Sequence, residues 1–242
     1  MVMSMQNKYL QIYREIADQI HEGKYPAHSK LPSEHELMSD FSTSRETIRK
    51  ALNLLAQNGF IQKVQGKGSI VLDARKFDFP ISGLVSFKEL AGKIGEKHQT
   101  HVEELELIHP NQEIQQQLNM KKNQNVWKVL RVREIDQERI ILDKDYFNQM
   151  YVEHLTKEIC ENSIYEYIEN ELGMQISFAK KEIIVVEPTE EDRRLLHLNG
   201  FSNVVVVKNY VYFDDASLFQ YTESRHRPDK FKFVDFARRT HG

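Results

Sequence analysis

The sequence predicts an α+β protein built as two unlike halves, and three observations carry that prediction. Its 242 residues exceed the single-domain mode of about 100–150 residues. Apolar residues recur with a helical period before residue 72 and alternate after residue 80. Positive charge is confined to one short stretch: residues 1–40 hold four Lys or Arg against six Asp or Glu (net −2), 41–72 hold five against one (net +4), and 73–242 hold 24 against 29 (net −5). The formal charge of −3 excludes a chain that is basic throughout, such as a histone-like coat for nucleic acid. A basic segment in an otherwise anionic chain points instead to a local meeting with a polyanion, because phosphate contacts release counterions and dominate nucleic-acid affinity. The single cysteine, Cys160, permits neither an internal disulfide nor a zinc cluster, and the N-terminal run lacks the apolar core of a secretory signal. The longest clean apolar run, Val204 to Val207, is far short of the roughly 18 residues of a membrane span. A reducing cytoplasm with no membrane partner is the expected setting.

In the first half, Tyr9, Ile12, Tyr13, Ile16 and Ile20 mark one face of a helix that Gly23 stops. Ser33 with Glu36 has the capping-box spacing for a short second helix, whose buried side is Leu37, Met38 and Phe41. Thr43 with Glu46 repeats the spacing for a third helix, with Ile48, Ala51, Leu52 and Leu55 as its apolar stripe and Asn58-Gly59 as its end. Arg45 and Arg49 lie one turn apart beside that stripe, near the helix N-terminus, where side chains and free backbone N–H groups reach phosphates or base edges. Two strand-like runs follow, joined at Gly66-Lys67-Gly68, whose glycines allow positive φ and a close backbone approach to another surface. Two helices joined by a tight turn, with exposed arginine at the start of the second and a hairpin behind, describe a winged helix-turn-helix that fits a major groove.

The run from Leu31 to Val71 resembles the DNA-binding signature of GntR-type bacterial transcription factors: a Pro-Ser-Glu entry, an S-R-x-T-V-R-x-A-L recognition helix and a G-x-G-T-x-V wing. The resemblance spans residues 8 to 72. It implies DNA contacts from Ser33, His35, Ser44, Arg45, Thr47 and Arg49 in the major groove and on the backbone, and from Gly66, Lys67 and Gly68 in the adjacent minor groove. His35 stands where the family usually has Arg, which implies a weaker and pH-sensitive phosphate contact. The competing structural reading of Arg45 and Arg49 is an intra-helical pair with Glu46 or simple exposure.

Residues 1–72 are thus expected to form the DNA-binding domain, 73–80 a linker, and 81–242 a sheet-dominated effector domain. Strands are predicted at 125–135, 139–147, 181–187, 203–213 and 217–225, with helices at 86–95, 112–120, 163–172 and 189–198. No βαβ repeat is evident, so the sheet is expected to be antiparallel and covered by helices. Arg131 and Arg133 leave the same strand face as Trp127, Val129 and Ile135. Arginine on an apolar face needs an anion or a solvent edge, because an unpaired buried charge costs several kcal/mol. A bound anion would satisfy both; so would solvation, or internal pairing with Glu134 or Glu182. Ser163 with Glu166 predicts a capped helix N-terminus, which also favours an anion.

The layout is similar to the HutC subfamily, whose second domain, of the UTRA type, has a chorismate-lyase-like fold and senses a metabolite. The landmarks are Ser86-Phe87, the Arg131/Arg133 pair, Ser163 with Tyr165, and the terminal run containing Gln220 and Arg225. The resemblance implies that the arginines with Ser163 and Tyr165 hold a phosphate, and that Ser86, Phe87 and the closing strand with Gln220 and Arg225 surround a sugar. Gln220 replaces the family's acid, implying a ligand without an amine. Within the subfamily the likeness is to the trehalose-responsive branch, which implies trehalose 6-phosphate as effector, a homodimer, a pseudo-palindromic double-stranded operator and no cofactor. The rival class is an enzyme of the lyase-like fold, or a regulator of another anionic metabolite. No G-x-S-x-G, phosphate-binding glycine loop or H-E-x-x-H is present, Cys160 has no activating partner in view, and His98 with His101 lack a third metal ligand.

Overall fold

The computed structural model describes residues 8–72, 87–88 and 98–233. These divide into two compact units, one within 8–72 and the other holding 87–88 and 98–232. The expected linker at 73–80, Ser86 and most of the expected helix at 86–95 lie outside the described residues.

In the first unit, α1 (Lys8–His21), α2 (Glu34–Asp40) and α3 (Arg45–Gln57) precede a two-stranded antiparallel hairpin, β1 (Ile61–Val64) and β2 (Gly68–Val71). The predicted stripes are the core: Ile12, Ile16 and Ile20 of α1 meet Leu37 of α2 and Ile48, Ala51, Leu52 and Leu55 of α3, with Ile61 and Val71 closing the base. The capping box at α2 is present as read, Ser33 Oγ accepting from Glu36 N–H while Glu36 accepts from Ser33 N–H. The α3 cap needs correction. It is Ser44, not Thr43, whose hydroxyl accepts from the backbone N–H of Thr47, so the helix begins one residue later and Arg45 is its first residue. Residues 28–31 extend the hairpin through backbone bonds from His28 and Leu31 to Val71 and Ser69, and from Val71 to Ser29. That fixes the wing to the loop before α2.

The second unit is a six-stranded sheet of β3 (His98–Ile108), β4 (Val126–Ile135), β5 (Glu138–Asn148), β6 (Ile176–Val186), β7 (Val204–Phe213) and β8 (Leu218–His226), in the order β3-β4-β5-β8-β7-β6. Every pairing is antiparallel. Strand β3 and a short helix, α5 (Lys157–Glu161), were not expected, and β6 begins well before residue 181. One face of the sheet packs against α5 and α6 (Ile164–Asn170) around Val129, Phe147, Ile164, Ile168, Val211 and Phe219. The other carries α4 (Gln112–Gln117) over Val126 and Tyr221, and α7 (Glu190–Leu195) beside Leu130, Val132 and Leu142. Strands β4 and β5 are joined at Asp136-Gln137, both at positive φ, as a two-residue hairpin turn requires. A bulge then shifts the register, so that Arg133 opposes Ile141 and Arg131 opposes Asp143.

Candidate functional site

Two arginine sets stand in contrasting surroundings. At the start of α3 the side chains of Arg45 and Arg49 are 70% and 64% exposed. They line an open groove of about 440 Å3 together with Glu46, Lys50 and Asn53. Their neighbour is neither solvent alone nor Glu46: Arg45 Nε donates to Glu34 at 2.8 Å, and Arg49 Nε lies 4.0 Å from the other oxygen of that carboxylate. Glu46 pairs with Lys50 instead. Thr47 and Ser44 share a hydroxyl contact of 2.9 Å, and Ser33 is committed to capping α2, so the two serines first set the helix starts that aim the arginines. His35 is exposed on α2. At the wing tip Gly66 and Gly68 take φ of 75° and 91°, values that suit glycine, and Lys67 is exposed beside them. Lys30 was missed by the sequence reading. Its side chain lies against Gly68, where an added Cβ would fall 2.9 Å from Lys30 Cε, and only the loop-to-wing pairing, invisible to periodicity, places it there.

In the second unit Arg131 and Arg133 are buried on the face covered by α5 and α6, and each is held by an aspartate one step diagonally along β5. Arg131 donates to Asp145 from Nε at 3.0 Å and Nη2 at 2.6 Å, and its Nη1 reaches the Cys160 carbonyl at 3.4 Å. Arg133 donates to Asp143 from Nε at 2.9 Å and to Thr100 from Nη1 at 2.7 Å, with the Phe87 ring 4.8 Å from its guanidinium carbon. Among the described residues its Nη2 has no partner. The expected alternatives are corrected: Glu134 binds His101 and approaches Arg139, and Glu182 opposes Lys208 across β6 and β7. The charges of both arginines are therefore balanced by aspartates, with Arg131 engaged through all three nitrogens and Arg133 through two. Burial pushes the Asp143 carboxyl upward, but Arg133 and Arg131 outweigh it and hold it below the usual carboxylate value.

The belt continues across β8. Gln220 Nε2 donates to Asp145 at 2.9 Å and Thr222 at 2.7 Å, Thr222 donates to Asp145 at 2.7 Å, Ser224 donates to Asp143, and Tyr165 donates to Gln220 Oε1 at 3.0 Å. The Gln220 amide is thus engaged at both ends within the belt, and a neutral side chain suits its place beside Asp145. Burial pushes the Tyr165 hydroxyl up, so it stays a donor at neutral pH. Ser163 caps α6 as read, accepting from the Glu166 N–H at 3.2 Å, and Lys88 bonds Glu166 at 2.7 Å. Arg225 does not join the belt. It leaves the opposite face of β8, where Asp192 of α7 clasps it through two bonds of 2.7 Å, because alternation along a strand sends residue 225 away from 220, 222 and 224. Ser86 lies outside the described residues. Asp143, Asp145, Thr222 and Ser224 were missed. Their signal was the Asp-Lys-Asp and Thr-x-Ser alternation at 143–145 and 222–224.

Burial pushes the Cys160 thiol up to about 11, which removes it as a nucleophile. No group of three or more His, Cys, Asp or Glu among the described residues is placed to hold a metal. No described helix is long and apolar enough to cross a membrane.

Comparison with known proteins assigns both units. Residues 8–71 match the model of bacterial regulatory proteins of the gntR family, and residues 93–232 match that of the UTRA domain. The chain is 59% identical to the HTH-type transcriptional regulator TreR of Bacillus subtilis (strain 168), covering 96% of this chain and 98% of that one. It is 34% identical to the mannosyl-D-glycerate transport/metabolism system repressor MngR of Escherichia coli (strain K12), over 94% and 96% of the two chains. Among solved structures, YydK of Bacillus subtilis superposes with a TM-score of 0.78 at 28% identity, over 96% of this chain and 99% of that one. The effector-binding domain of the B. subtilis trehalose repressor superposes with a TM-score of 0.55 at 59% identity, over 59% of this chain and 99% of that one.

Proposed function

Since the chain belongs to the GntR family of bacterial regulatory proteins, in the HutC branch that carries a UTRA domain, and is a transcriptional regulator rather than an enzyme, we propose that it is a homodimeric repressor released from a pseudo-palindromic operator by trehalose 6-phosphate. Residues 1–72 are the DNA-binding domain, 73–80 the linker and 81–242 the effector domain in this reading. The observation that carries it is the contrast between exposed arginines at the start of α3 and buried, neutralised arginines in the second unit. Exposed guanidiniums at a helix start suit phosphates and base edges. One winged module reads a half-site, and two-fold symmetry doubles it.

Asp143 and Asp145, with Gln220, Thr222, Ser224 and Tyr165, form a belt of hydroxyl and carboxylate groups of the kind that recognises sugar hydroxyls. Arg133, with Nη2 uncommitted among the described residues, takes the phosphate together with Ser163. The phosphate competes with Asp143 for the Arg133 guanidinium, and Phe87, which rests on that guanidinium, registers the change. The likeness to the trehalose repressor supports the disaccharide. Calorimetry against trehalose 6-phosphate, glucose 6-phosphate, trehalose and phosphate tests the ligand, and the same panel added to a protein–duplex complex tests release. Binding and release by the phosphorylated disaccharide alone is the expected result; release by none of the four overturns the effector reading.

A further inference from the structure

Two carboxylates that the DNA reading does not use lie beside the exposed arginines of the first unit: Glu46, which pairs with Lys50, and Glu34, which meets the arginines themselves. Glu34, the first residue of α2, sends both carboxylate oxygens between Arg45 and Arg49, at 2.8 Å from one Nε and 4.0 Å from the other. A carboxylate in a surface that must receive phosphates repels them, and a surface ion pair of this kind contributes little to folding. Its geometry gives it another use. Glu34 engages Arg45 through Nε, and a guanidinium held there keeps its two terminal nitrogens for the end-on fork that matches guanine O6 and N7. A backbone phosphate, by contrast, competes with Glu34 for the same guanidiniums and meets its negative charge.

We propose that Glu34 is a specificity-determining positioning residue: it aims Arg45 at a base edge and withholds both arginines from indiscriminate phosphate binding. The proposal rests on the operator reading above and adds a discrimination role to it. Glu34 weakens phosphate attraction for every duplex alike, a change that cancels in the ratio, while its hold on Arg45 adds a base contact that only the correct sequence supplies, and that difference is what widens the gap between right and wrong duplexes.

The test uses the full-length protein and a duplex that it selects from a random-sequence pool, alongside a base-scrambled duplex of equal length. Fluorescence anisotropy over a salt series gives affinities for wild type, Glu34→Gln, Glu34→Ala, Arg45→Ala and the pair Glu34→Gln/Arg45→Ala. Glu34→Gln is expected to bind the scrambled duplex more tightly and to lose about tenfold of the selected-to-scrambled ratio, the size of one bidentate base contact. Its salt slope steepens as phosphates take the freed arginines. In the Arg45→Ala background the same change should leave the ratio unmoved. Glu34→Ala repeats the loss, and thermal unfolding confirms that both variants keep the fold. A ratio unchanged in Glu34→Gln, with both affinities rising together, overturns the proposal and leaves Glu34 a mere repulsive charge. Failure of the wild type to select any duplex overturns the operator reading itself.

Discussion

Arg131 and Arg49 carry the same guanidinium into opposite circumstances, and the magnitudes separate their roles. Removing one partner of a buried ion pair leaves the other charge uncompensated, at about 3–5 kcal/mol, whereas a surface change away from special features stays within about 0.5 kcal/mol. Arg131→Ala orphans Asp145, whose other oxygen is already taken by Gln220 and Thr222. Urea titration is therefore expected to show a loss of about 3–5 kcal/mol in the second unit for Arg131→Ala, and almost none for Arg49→Ala. Arg49→Ala should instead abolish operator binding while leaving sugar-phosphate affinity intact; equal loss of stability in both variants would contradict the burial difference. Gln220 makes a second case. A carboxylate at this position sits against Asp145, so its folded pKa rises above the unfolded value of about 4.3. A raised carboxyl contributes its penalty at high pH and sheds it as pH falls through the folded pKa, because the folded state then holds the extra proton. Gln220→Glu is expected to lose about 2–4 kcal/mol near pH 8 and distinctly less near pH 5, read by denaturation at each pH. A pH-independent loss would point to packing rather than charge.

At the scale of elements, the start of α3 joins stability to recognition. Ser44 satisfies the Thr47 N–H and meets its hydroxyl, and losing such a cap costs about 1 kcal/mol. Ser44→Ala should lower the first unit's stability by about that amount and weaken operator binding by fraying the turn that presents Arg45; thermal melts and anisotropy report the two effects separately. Helical periodicity made this unit legible almost to the residue, since α1 to α3 bury the stripes that the spacing shows. The one-residue error at the cap arose because Thr43 and Ser44 are both competent caps and both precede the stripe. The second unit was less legible because bulges corrupt alternation. Val102 and Leu105 pack into one core although three residues apart, since the register shifts between Val102 and Glu104; that spacing is helical in sequence, and β3 was overlooked. The bulge between β4 and β5 hides the arginine partners in the same way. Carried unbroken from the Asp136-Gln137 turn, the register would set Arg131 against Leu142; the extra residue brings Asp143 there instead.

At the scale of the molecule, DNA and effector act on one another only through their differential affinities for the conformations of the whole chain. The exposed arginines of α3 lie in the first unit and the polar belt in the second, so on the proposed reading a sugar phosphate that loosens the operator must itself bind less tightly when the operator is bound. The two factors are equal by thermodynamic necessity, typically about 5–150-fold, or 1–3 kcal/mol of coupling. The measurement is calorimetric: trehalose 6-phosphate titrated into free protein and into protein saturated with its selected duplex, set beside duplex affinity with and without saturating effector. Equal shifts are expected, and Arg49→Ala should show the free-protein effector affinity whether or not duplex is present. An effector affinity that collapses in Arg49→Ala would place the sugar phosphate on the DNA-facing arginines, as a competing anion. The buried pairs of Arg131 and Arg133 would then be structural staples of the sheet, fixed to Asp145 and Asp143 in every state of the protein.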